Sequence, residues 1–123
     1  MIDRKAIGSE GERLGRDFLK KSGYRLIEQN FKSRHGEIDL IAVDKDDIVF
    51  IEVKLRQSAD FGMPCEAVNR RKQDHIVKTA LNYLKAKNLM NKNVRFDVMS
   101  IGPEPGKIEL IRSAFTVSPK YTY

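Results

Sequence analysis

The sequence predicts one α/β domain with the order helix, three strands, helix, two strands. Three observations carry this. The chain has 123 residues, enough to close one hydrophobic core and too few for two, so residues 1–123 are read as a single domain. Its composition, 41% hydrophobic and 33% charged with no biased or repeated segment, is that of a folded globular chain. Its apolar residues keep helical spacing in two stretches and gather into short β-rich runs elsewhere.

Residues 3–22 form the first predicted helix: Ile7, Leu14, Phe18 and Leu19 recur at helical spacing, and Gly23 is a natural C-terminal stop. Gly8, Gly11 and Gly15 lie close to one stripe of this helix, where each glycine costs about 1 kcal/mol, so something must approach the stripe closely. Tight packing on a sheet is preferred here over a helix pressed against a substrate groove. YRLIEQNF (residues 24–31), GEIDLIAV (36–43) and IVFIEVKL (48–55) read as three strands, the last two joined by a polar hairpin loop from Asp44 to Asp47. A loop through Gly62 and Pro64 leads into a helix over residues 65–88. Val68, Ile76, Ala80, Leu81 and Leu84 mark one face of it, and Arg70, Arg71 and Lys72 begin the other. RFDVMSI (95–101) and KIELI (107–111) read as the last two strands, around a turn at Pro103-Glu104-Pro105-Gly106. Residues 113–123 keep no period and read as an extended or flexible tail.

The opening MIDRKAIGSEGERLG lacks the apolar core of a secretory signal, and no apolar run approaches the roughly 18 residues a membrane span needs. A cytoplasmic protein without membrane contact is expected. The only cysteine, Cys65, has no internal disulfide partner and no zinc-spaced neighbours, so it reads as a small packed side chain. A net charge of +6 and a pI near 9.5 favour a polyanionic partner, although ribosomal and membrane-surface proteins share such basicity.

The chemistry concentrates on strands two and three. If they form a hairpin in which Val43 faces Ile48, Asp39 falls across from Glu52 and Glu37 across from Lys54, with opposed Cβ atoms about 5 Å apart on one face. Charges in strands otherwise made of Ile, Leu, Val and Phe are costly, and like charges placed opposite each other more so. A divalent cation is the natural remedy, since Mg²⁺ takes one or two carboxylates plus waters and substrate phosphates, and the Val53 carbonyl could add a ligand. Lys54 could then orient or deprotonate a water, or stabilise charge developing on phosphate. The competing reading is a buried ion-pair network neutralised by Lys54, although three acids against one lysine leave an excess of negative charge.

Asp39 followed by Glu52-Val53-Lys54, on paired apolar strands after an opening helix, resembles the D...(D/E)xK signature of the PD-(D/E)xK nuclease superfamily. More closely, Gly11-Glu12, then Asn30-Phe31, GEIDLIA, FIEVK, a loop with FG.P, a lysine-bearing helix and RFDV resemble the YraN-like family of bacterial proteins (uncharacterised protein family 0102). That family is similar in turn to archaeal Holliday-junction resolvases. The resemblance spans residues 8–98 and implies a restriction-endonuclease-like core, αβββαβ(β), with a mixed central sheet flanked by helices. It implies that Asp39 and Glu52 bind Mg²⁺ or Mn²⁺ and that Lys54 assists hydrolysis. Glu12 would project toward the metal; the alternative is that Ser9-Glu10-Gly11-Glu12 forms a capping box. Glu37 is auxiliary. Ile38 stands where the superfamily often has a proline.

Gln73 resembles a glutamine or lysine that some superfamily members place on the second helix near the metal, and Arg70, Arg71 and Lys72 could grip phosphates there. His35 and His75 read as incidental. The implied activity is hydrolysis of a DNA phosphodiester without a small-molecule cofactor, on branched recombination or repair DNA and in a dimer by analogy with resolvases. The rivals are a catalytically silent, structure-specific nucleic-acid-binding protein of the same fold, and RNA as the substrate.

Overall fold

The computed structural model of the chain describes residues 4–56, 69–104 and 106–115. Gly62, Pro64, Cys65, Val68, the FG.P loop and the tail beyond Phe115 lie outside the described residues, as do the side chains of Ile7 and Ser9.

The element order is α1 (Arg4–Lys21), β1 (Arg25–Ser33), β2 (Gly36–Asp44), β3 (Asp47–Leu55), α2 (Arg70–Ala86), β4 (Val94–Ile101) and β5 (Ile108–Phe115). The five strands form one sheet in sequence order. β1–β2, β2–β3 and β4–β5 are antiparallel, whereas β3 and β4 run parallel, the arrangement that requires α2 as a crossover. The sheet is therefore mixed, as the resemblance implied. None of the described helices is long and apolar enough to cross a membrane.

Alternation along the central strands supplies two cores. On β3, Ile48 and Phe50 join Ile76, Val77, Ala80, Tyr83 and Leu84 of α2, while Val49 and Ile51 join Leu19 of α1, Tyr24, Met99 and Ile101. The helices thus cover opposite faces, and the strands between them are buried on both sides. Tyr83 meets the rings of Phe31 and Phe50 edge-on, and Phe50, Phe96 and Phe115 form a stacked row.

The glycine stripe of α1 packs on the sheet. A Cβ on Gly15 would stand 2.7 Å from the Met99 Cε, and one on Gly11 would stand 3.3 Å from Ile101. Because α1 already begins at Arg4, Ser9 lies in the helix interior and cannot be its N-cap, so the capping-box reading of Glu12 falls.

The second helix begins later than expected. Asn69 caps it, its side chain accepting the Lys72 N–H at 2.9 Å, so Arg70, Arg71 and Lys72 are the first turn and not the second. The period of 3.6 in the apolar residues locates the helix body but not its start; the cap does that. The β2–β3 hairpin is tighter than expected, since Asp44 pairs with Asp47 and leaves Lys45 and Asp46 as a two-residue turn. β5 continues through Ser113, where periodicity fails, because the Ser113 N–H is tied to the carboxylate of Asp97 at 3.0 Å.

Asp97 is wholly buried. Its carboxylate accepts from Arg95 Nε at 2.9 Å, from an Arg95 terminal nitrogen at 3.0 Å, from the Tyr24 hydroxyl at 3.0 Å and from the Ser113 amide. Arg95 also reaches Asp44 at 3.0 Å. This satisfied network joins β4, β5, the start of β1 and the turn end of the β2–β3 hairpin. The hairpin is therefore pinned at its turn and open at its other end.

Candidate functional site

The expected register of β2 and β3 holds from Asp44–Asp47 through Val43–Ile48 to Leu40–Ile51, and there the pairing stops. Asp39 and Glu52 are the next positions on their strands. They do not complete a ladder pair; the Asp39 carboxylate instead accepts the Val53 N–H at 2.7 Å, taking the place of a backbone acceptor. Alternation breaks at the same point, since Ile38 and Ile41, three residues apart, both enter the core under α2. The strands separate at Asp39, whose side chain sits at the junction of two cavities.

The larger cavity, about 470 Å³, is walled on one side by Glu37, Asp39 and Glu52 and on the other by Asn69, Arg71, Lys72 and His75 of the α2 start. Gly36, with φ of 144°, brings the beginning of β2 against α2; only its hydrogen allows that backbone angle without strain. The smaller cavity, about 70 Å³, is lined by Glu12, Arg16, Gln29, Asn30, Asp39 and Val53 among others. Glu12 of α1 is exposed and lines this smaller cavity with Asp39, whereas Glu37 and Glu52 line the larger one.

Burial, and then the neighbouring Glu52 and Glu37 carboxylates, push the Asp39 carboxyl up to about 7, against the opposing pull of the Val53 amide and Lys72. Glu52, its side chain only 11% exposed, holds an ion pair with the Lys72 ammonium at 2.6 Å. The cleft thus sets three carboxyl groups, Glu37, Asp39 and Glu52, against two basic side chains, Arg71 and Lys72, and burial together with this crowding is what raises Asp39. Oxygen donors of this kind, partly dry and crowded with one another, suit a hard divalent cation. Among the described residues, no three Asp, Glu, His or Cys side chains converge at metal-ligand spacing.

Other residues singled out from the sequence are dispersed. Lys54 is exposed and lines neither cavity, and the expected Glu37–Lys54 pair is not formed because the ladder has already ended. The cation on Glu52 is Lys72 instead. Arg71 and Lys72 face the larger cavity; Arg70 and Gln73 line neither. His35 also lies outside both, its amide donating to the Ser33 Oγ at 3.1 Å. His75, read from sequence as an ordinary helix residue, lines the cleft one turn beyond Lys72. Counting from a cap at Asn69 would have placed Lys72 and His75 on one face three residues apart.

Comparison with known proteins places this arrangement in a family. The model of Uncharacterised protein family UPF0102 matches residues 11–101, which include Glu12, Asp39, Glu52, Lys54 and Lys72. The chain is 45% identical to a UPF0102 protein of Caldanaerobacter subterraneus over 89% of both chains. It is 47% identical to one of Syntrophus aciditrophicus over 96% of this chain and 94% of that one, and 48% identical to one of Alkaliphilus metalliredigens over 90% and 98%. With identity of that order running the length of the two-helix, five-stranded fold, the chain belongs to the UPF0102 family.

Proposed function

We propose that the protein is a divalent-metal-dependent endonuclease that hydrolyses phosphodiester bonds in DNA. The observation that carries this reading is the single cleft that sets Asp39 and Glu52, at the separating ends of two strands, against the basic first turn of a 17-residue helix. Crowded acids and a cationic wall facing them suit a substrate that brings phosphate and a cation together.

Asp39 and Glu52 would hold the metal, with Glu12 reaching it from the α1 side. When bound, Mg²⁺ or Mn²⁺ supplies positive charge to the phosphoryl oxygen and activates the attacking water. The chain's own residues do the rest. Arg71 and the orphan N–H groups at the start of α2 attract phosphate, and the absence of acidic residues in that turn keeps the helix end positive. The Asp39–Val53 hydrogen bond fixes the carboxylate at the cleft. Lys54, on the strand beside Glu52, steadies charge developing on the phosphate once substrate covers it.

The test is a panel of labelled linear, flapped and four-way DNA substrates, with an RNA control, incubated with Mg²⁺ or Mn²⁺. Cleavage is expected from wild type and is lost in folded Asp39→Asn and Glu52→Gln. Robust cutting in excess chelator, or by the folded double variant, would sink the reading. A second reading has its own observation: with Lys72 seated on Glu52 and Lys54 outside both cavities, the same surface suits a protein that binds structured nucleic acid and cuts nothing. It predicts DNA binding by wild type and both variants, with no cleavage of any substrate.

A further inference from the structure

We propose that Lys72 is an exchangeable counter-ion: it neutralises Glu52 when no metal is bound, is displaced by a divalent cation, and then serves as a phosphate ligand in the same cleft. This rests on the metal-site reading above and assigns Lys72 a part in it. The ion pair is asymmetric. The Glu52 side chain is 11% exposed and held on β3, whereas the Lys72 side chain is 47% exposed at the end of a flexible stem. A carboxylate so little hydrated is costly to leave alone, and Lys72 supplies the missing charge.

The ammonium and a divalent ion compete for that carboxylate, because their mutual repulsion in a partly dry cleft weakens binding of both at once. The half-exposed lysine is the partner free to move. Its backbone is fixed by the Asn69 cap, so the displaced head stays near Arg71 and the α2 N-terminus, where the proposed function seats the phosphodiester. A phosphate that takes Lys72 also releases Glu52. Metal and phosphate therefore favour each other's binding, a coupling that linkage makes reciprocal.

Mn²⁺ binding to the intact protein, measured by calorimetry at fixed ionic strength without DNA, tests this. Lys72→Met and Lys72→Gln should bind Mn²⁺ roughly two- to fivefold more tightly than wild type, the worth of one half-exposed ion pair, while Lys72→Arg stays at the wild-type value. A short DNA oligonucleotide should tighten Mn²⁺ binding more in wild type than in the neutral variants. Equal or weaker binding by both neutral variants, with circular dichroism confirming the fold, overturns the counter-ion role alone. Absence of Mn²⁺ binding by wild type and by every variant overturns the metal reading with it.

Discussion

Asp39 has three jobs at once: it ends the β2–β3 ladder, accepts the Val53 amide and faces two cavities. Its carboxyl, raised by burial and by Glu52 and Glu37 from an ordinary 3.8 to about 7, gives a prediction with a definite sign. Between those values the metal-free folded chain holds a proton that the unfolded chain releases, so this residue's contribution to stability is fully present below the lower value. It is lost as pH rises toward 7, by at most about 1.4 kcal/mol per pH unit. Asp39→Asn keeps an acceptor for Val53 and removes the titration. Thermal melts in chelator should show the variant gaining on wild type from pH 4 to 7; a difference independent of pH would contradict the assignment. The acidic residues of this site were legible in the sequence because charges interrupting a doubly buried strand are conspicuous. What they pair with was not, since Lys54 is two residues from Glu52 in sequence whereas Lys72 reaches Glu52 only through a crossover helix whose start depends on the cap at Asn69.

The helices and strands explain why the site can be open while the fold is closed. The hairpin carrying Asp39 and Glu52 is clamped at its turn by Arg95, Asp44 and the buried Asp97, and α1 lies close on the far face of the sheet through its glycine stripe. Gly15→Val should show how close that approach is. Its Cβ would meet the Met99 Cε at 2.7 Å and the Ile101 Cδ1 at 2.9 Å, both ends of side chains with limited room in a packed core. A loss of about 1–3 kcal/mol is expected from overpacking, measured by urea denaturation, and an unchanged midpoint would mean that α1 floats over β4. Element order could be read from periodicity because apolar runs of four to eight residues and an amphipathic repeat are long-range consistent signals; the mixed sheet came only with the family resemblance, since periodicity says nothing of strand direction. The late start of α2 and the extension of β5 could not, because one is set by a local cap and the other by a side chain sixteen residues away in sequence.

At the scale of the whole molecule, acids and bases are sorted. Net charge is +6, yet Glu37, Asp39 and Glu52 gather on one wall of the cleft and Arg71 and Lys72 on the other. A chain attracted to nucleic acid by its overall charge would have its affinity set by phosphates and not by base edges, since none of the described elements resembles a base-reading motif. Each phosphate contact releases condensed counter-ions, so log K should fall linearly with log salt, by about 0.9 per contact on duplex DNA. Arg71→Ala should reduce that slope by about one and weaken binding equally for unrelated sequences of the same shape. The measurement is fluorescence anisotropy in chelator across a salt series, which keeps metal coordination and cleavage out of the readout. An affinity indifferent to salt, or an Arg71→Ala penalty confined to one short sequence, would show that the cleft reads something other than the phosphate backbone. The proposed substrate class would then have to change even if Asp39 and Glu52 still hold a metal.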